Sequence, residues 1–131
     1  MKKIIIFTFC MMLLLCSIPT IAADSGPELE IKILPGPSFP APAIKVTNIG
    51  DETAHNVHLT NVNIDGNVLF NNRGVNIANT LDSDNFIICT PNSWIIGFGL
   101  FTMNVTIECD EGVFISESSN GFIIGALQLI P

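Results

Sequence analysis

Between residues 100 and 109 apolar and polar positions alternate without a break. Phe101, Met103, Val105, Ile107 and Cys109 take one set; Thr102, Asn104, Thr106 and Glu108 take the other. A strand turns successive side chains to opposite faces, so this stretch predicts a strand with one dry and one wet face. Leu29-Glu30-Ile31-Lys32-Ile33 repeats the pattern, and residues 43–48 set Ile44 and Val46 against Lys45 and Thr47. From His55 to Ile64 the phase changes: Val57 and Leu59 are odd, Val62 and Ile64 even. One extra residue near Thr60-Asn61 accounts for the slip, which predicts a bulge there. Asp65-Gly66 then predicts a two-residue hairpin with Val68-Leu69-Phe70 returning. Val75-Asn76-Ile77 and Phe86-Ile87-Ile88 are short apolar runs on either side of the acidic loop Asp82-Ser83-Asp84-Asn85. A last strand is expected over residues 122–130, introduced by a turn at Ser118-Ser119-Asn120-Gly121.

No segment carries a helical period. Pro35, Pro37, Pro40 and Pro42 exclude helix and central strand from residues 35–42, which read as an extended connector. Without helical crossovers a parallel sheet is excluded in practice. Seven or eight strands with turn signals roughly every 8–12 residues predict an antiparallel β-sandwich.

The first residues do not belong to that pattern. Lys2 and Lys3 precede an apolar run over residues 4–15, then Ser17 and Pro19, then Thr20-Ile21-Ala22-Ala23. This is the layout of a secretory signal peptide over residues 1–23, cleaved after Ala22 or Ala23. The rival is a retained membrane anchor, since the segment is just long enough to span a bilayer. The domain is then residues 24–131, secreted or at the cell surface. It keeps three basic residues (Lys32, Lys45, Arg73) against all twelve acidic ones, 3 − 12 = −9. That charge argues against nucleic acid and against anionic lipid as partners.

Ile44-Lys45-Val46-Thr47-Asn48-Ile49-Gly50, a short polar stretch with Ala54, then Val57-His58-Leu59 and Asp65-Gly66 together resemble the CARDB-type immunoglobulin-like modules of exported bacterial and archaeal proteins, which are related to cell adhesion. The resemblance covers residues 44–66 closely and the remainder in strand rhythm. It implies an immunoglobulin-like sandwich, a surface or secreted role and no catalytic residues. Within the motif, Gly50 would permit a positive φ, Asn48 would bond the backbone of the turn, and Ala54 is small where the chain re-enters the sheet.

The candidate chemistry is sparse. Cys89 and Cys109 are a candidate disulfide in an exported chain; the alternative is two buried small hydrophobes. His55 and His58, three apart on a strand, point to opposite faces and do not share an ion. Asp82, Asp84 and Asn85, or else Asp110 and Glu111, offer oxygens for calcium, and neither loop has the EF-hand pattern. No Gly-x-Ser-x-Gly occurs, and nothing faces two carboxylates across a cleft. No catalytic, metal or cofactor site is therefore assigned. Asn104-Val105-Thr106 is a glycosylation sequon with Asn104 on the wet face. Trp94-Ile95-Ile96-Gly97-Phe98-Gly99-Leu100-Phe101 is the outstanding apolar stretch. It reads either as a strand covered on both faces, or as an interaction patch through Trp94, Ile96 and Phe98. The expected role is a non-enzymatic interaction or structural module pairing with another protein or itself through a strand edge. The alternatives are a secreted ligand-binding protein or hydrolase with a loop-built site, and a membrane-tethered module.

Overall fold

A computed structural model describes residues 25–71, 74–91 and 93–131; the expected leader lies outside the described residues. These residues form nine strands and no helix: β1 (Leu29–Ile33), β2 (Gly36–Ser38), β3 (Ile44–Asn48), β4 (Ala54–Phe70), β5 (Val75–Leu81), β6 (Phe86–Cys89), β7 (Ile95–Glu108), β8 (Phe114–Gly125) and β9 (Leu127–Ile130). They pair into a three-stranded sheet, β1-β3-β6, and a six-stranded sheet, β2-β9-β8-β7-β4-β5. Every pairing is antiparallel. The chain is an all-β, two-sheet antiparallel sandwich.

The alternation that predicted the strands also builds the core. Leu29, Ile31, Ile33, Ile44 and Val46 bury one face of the small sheet. Val57, Leu59, Val62, Phe101, Met103, Val105, Ile107 and Ile123 bury the facing side of the large one. Each such side chain contributes about 1.5–3 kcal/mol by leaving water. The row from Phe101 to Cys109 is buried as its periodicity requires, and Thr60 is skipped in the pairing of β4 with β7, as the phase slip predicts.

Several turn signals lose to sheet pairing. Asp65-Gly66 makes no hairpin. β4 runs through it, with Asp65 opposite Thr102 and Gly66 opposite Phe101. Gly66 is needed for close approach and for its φ of 149°: a Cβ there would lie 2.8 Å from the Leu100 carbonyl oxygen. Just beyond, Phe98, Gly99 and Leu100 of β7 face only Asn67 of β4, so the irregularity is a bulge in β7. Ser118-Ser119-Asn120-Gly121 is likewise mid-strand, paired with residues 101–104. Residues 122–130 are the end of β8 and all of β9, joined at Gly125-Ala126. Gly125 has a φ of 64°, as the first position of a two-residue II′ turn demands. The proline-rich connector includes the edge strand β2, where Pro37 costs no inner hydrogen bond.

Two buried amides tie loops to the sheets. Asn48 is fully buried. Its Oδ1 accepts from the Glu28 N–H at 3.2 Å and the Gly50 N–H at 3.1 Å. Its Nδ2 donates to the carbonyls of Glu52 at 2.7 Å and Leu81 at 2.9 Å. Gln128 is also fully buried; its Nε2 donates to the carbonyls of Ala126 at 2.6 Å, Pro40 at 3.2 Å and Ile95 at 3.3 Å. Satisfied amides of this kind pin a unique arrangement, because losing one strands several buried polar groups.

Candidate interaction surface

The even-numbered residues of β7 point away from the core, and they are of two kinds. Thr102, Asn104, Thr106 and Glu108 are polar; Ile96, Phe98 and Leu100 are not. The register carries this division across neighbouring strands. Thr102, Asn104 and Thr106 face Asn120, Ser118 and Ser116 on β8, and Asp65, Asn63 and Asn61 on β4. Thr102 donates to Asn120 Oδ1 at 2.8 Å, and the hydroxyls of Thr106 and Ser116 lie 2.9 Å apart. Toward the other end, Ile96 faces Leu69, Phe98 faces Ile124, and Leu100 faces Phe122. Phe122 and Ile124 in turn face Leu129 and Leu127. The outer side of the large sheet is thus mostly polar at one end, where exposed Phe114 opposite Glu108 is the exception, and apolar at the other.

The apolar half is open to solvent. Leu100 is 79% exposed, Leu69 68% and Phe98 65%; Ile96, Ile124, Leu127 and Leu129 are also exposed, as is Trp94 just before β7. Of the two sequence readings of residues 94–101, the doubly covered strand is corrected. Only Ile95 and Phe101 are buried there, while Trp94, Ile96 and Phe98 face out. Gly97 lies on the inner side for a packing reason, since a Cβ on it would meet the Asn67 carbonyl oxygen at 2.4 Å. Phe98 leans edge-on against Phe122, ring centroids 6.0 Å apart. Beside them Leu100, Phe122, Leu129, Ile130 and Pro131 bound a hollow of about 390 Å³. Its polar side chain, Asn120, is occupied by Thr102. The outer face of the small sheet differs in mixing charge with apolar side chains: Glu30, Lys32 and Lys45 share it with exposed Phe86 and Ile88, and the Lys45 ammonium lies 4.3 Å from the Phe86 ring centre.

The remaining candidates lie elsewhere. Cys89 sits on β6 opposite Ile44, and Cys109 follows β7 on the other sheet; both thiols are free. Cys109 lies at the end where Asp110 bonds His55. On β3 that end is marked by Asn48, whose amide reaches Leu81, the partner of Ala54. Ile44 is four residues away, roughly 13 Å along a strand, whereas a bridge needs Cα atoms within ~7 Å. Burial raises the pKa of both thiols, and Glu111 adds to the effect at Cys109, so neither is an activated nucleophile. His55 and His58 do not point to opposite faces as their spacing suggested: β4 is irregular at Asn56, whose φ is 48°, and with Ala54, Val57 and Leu59 all buried both histidines lie on the outer side. Each has its own carboxylate: His55 Nδ1 meets Glu111, and His58 Nε2 meets Glu108 at 2.9 Å. Asp82 accepts from the Thr53 hydroxyl at 3.0 Å. Among the described residues no three His, Cys, Asp or Glu side chains gather where an ion could be held. Asn104 lies on the outer face between Asn63 and Ser118, as the sequon reading placed it.

Within residues 44–66 the parts of the motif behave unequally. Asn48 bonds the turn as expected and Ala54 is fully buried. Gly50 has no positive φ; it is required because a Cβ would lie 2.3 Å from the Gly26 carbonyl oxygen and 2.4 Å from the Glu28 nitrogen. No family model, curated protein or solved structure matches the chain.

Proposed function

We propose that this chain is an exported, non-catalytic interaction module that docks through the apolar half of its large sheet's outer face. The carrying observation is that face itself. Contiguous apolar area of this extent on a β-sheet is a liability in water, and its usual explanation is a surface that a partner covers. It spans four adjacent strands, with Leu69, Ile96, Phe98, Leu100, Ile124, Leu127 and Leu129 exposed and Phe122 half-buried among them. The leader over residues 1–23 supports export. The resemblance of residues 44–66 to CARDB-type modules supports a surface or secreted role. A ligand-binding or hydrolytic reading draws little support from the hollow beside Phe98, which lacks the converging polar groups that orient a small ligand.

A photo-crosslinking side chain placed at Leu100 in the exported protein should capture a polypeptide, and the same group at Asn104 should not. If both positions stay uncaptured, or both are captured alike, the face has no such role. The intact mass of the exported chain should begin at Ala23 or Asp24; a full-length mass would turn the module into a tethered one.

A further inference from the structure

Resting on that reading, we infer that the partner on the apolar half-face is a second copy of this chain, related to the first by a two-fold axis. Extent is the first support. Trp94, Leu69, Ile96, Phe98, Leu100, Ile124, Leu127 and Leu129 are between 41% and 79% exposed. At about 150–250 Å² for an aromatic side chain wholly covered, and somewhat less for the six leucines and isoleucines, they offer on the order of 700 Å², close to the ~800 Å² per partner of a stable interface. Shape is the second. A two-fold interface needs projection and recess on one surface, because each copy gives what it receives. Phe98 projects, 65% exposed, beside the 390 Å³ hollow bounded by Leu100, Phe122 and Leu129. Charge is the third. The patch is neutral while residues 24–131 carry 3 − 12 = −9. No basic or acidic partner is selected by it, and an identical copy meets no unpaired charge there. The acidic polar half, with Asp65 and Glu108, stays outside the contact and repels its counterpart.

The test is sedimentation velocity of the protein as its host exports it, with the Phe98→Glu/Leu100→Glu double variant beside it. The exported protein should form dimers at micromolar concentration or below. Raising NaCl from about 0.05 M to about 0.5 M should tighten them by screening acidic repulsion. The double variant should dimerise at least ~100-fold more weakly, while at a dilution where both chains are monomeric its circular dichroism melt matches that of the unmodified protein. A protein monomeric up to about 100 µM, far above the expected range, overturns the inference. So does a dimer that the double variant retains. Crosslinking at Leu100 separates the two failures. Capture of a different protein by a monomeric chain ends the second-copy assignment and leaves the docking face standing. A monomer with no capture ends both.

Discussion

The two halves of β7 share a strand, a sheet and a period, yet differ on one side only. From Ile95 to Glu108 the odd positions face inward, and most of them are buried. On the even side, Ile96, Phe98 and Leu100 give way to Thr102, Asn104, Thr106 and Glu108. Packing against the small sheet dictates the inward residues, so they report the fold. Nothing in the fold dictates the outward ones. A sandwich needs only that they tolerate water, and the polar half does so with a ladder of hydroxyls and amides. The apolar half does not, and the exception is where a role outside the fold shows itself.

The largest effect that can test this division comes from placing the same charge on its two sides. Val105 is 0% exposed at the centre of the core row, so Val105→Asp buries an unpaired carboxylate. It should cost at least about 3 kcal/mol and remove the cooperative melt. Leu100→Asp, five residues away on the outward side, should cost less than about 1 kcal/mol, measured at a dilution where the chain is monomeric. Thermal or urea unfolding of both decides. Equal losses would mean that the Leu100 side is covered within the monomer, and the distinction between the halves would collapse.

A second, smaller effect carries the comparison to β8. Gly121 lies opposite Phe101, and a Cβ on it would sit 2.6 Å from the ring's Cζ and 2.8 Å from the Leu129 carbonyl oxygen. The glycine is there to let that ring lie over the backbone. Gly121→Val should cost about 1–3 kcal/mol through forced repacking. Ser118→Val, outward in the polar half, should stay within about 0.5 kcal/mol. A neutral Gly121→Val in a denaturant titration would show that the Phe101 row is loosely packed.

How far this could be read in advance depended on which interaction won locally. The period-two rows Leu29–Ile33 and 101–109 were legible because alternate burial is the sandwich's own construction rule. The Thr60 bulge was legible as a phase slip. Asp65-Gly66 and Ser118-Ser119-Asn120-Gly121 misled because their turn preferences are worth little against continuous pairing with β7 on both sides. The patch was half legible. Carried backward from Phe101, the same period sends Leu100, Phe98, Ile96 and Trp94 outward, and reading the run as a covered strand overrode that phase. Its wider extent could not be seen, because Leu69 and Leu129 join Ile96 and Phe122 only through cross-strand register. Gln128 is the lone polar side chain of residues 122–130, but what holds it in the interior, the carbonyls of Pro40 and Ile95, lies far off in sequence.

The smallest effect belongs to the far end of the polar half, where charge replaces hydroxyls. Burial works against ionising Glu111. The backbone N–H of His55, donating to its two oxygens at 3.1 and 3.0 Å, and the His55 ring outweigh burial and lower its pKa to about 2. At His58 the Asn56 carbonyl, 2.7 Å from Nδ1, raises the pKa above its usual 6.5. Burial opposes that shift; Glu108 and Asp110 reinforce it. The two groups bracket a window. Glu111 stabilises the fold above the unfolded carboxyl value of 4.5, and that contribution is lost as pH falls toward 2. His58 stabilises it below 6.5, and its contribution is lost as pH rises through the raised value. Both lie in contact with solvent, so each limb should amount to a few degrees in melting temperature at most. Stability should be highest between about pH 4.5 and 6.5. Glu111→Gln should flatten the acid limb and His58→Gln the alkaline one, each leaving the other limb intact. Phe98→Ser, in the apolar half, should move neither. A profile that Phe98→Ser reshapes as strongly as the two charge variants would couple the halves, and would contradict the independence on which their comparison stands.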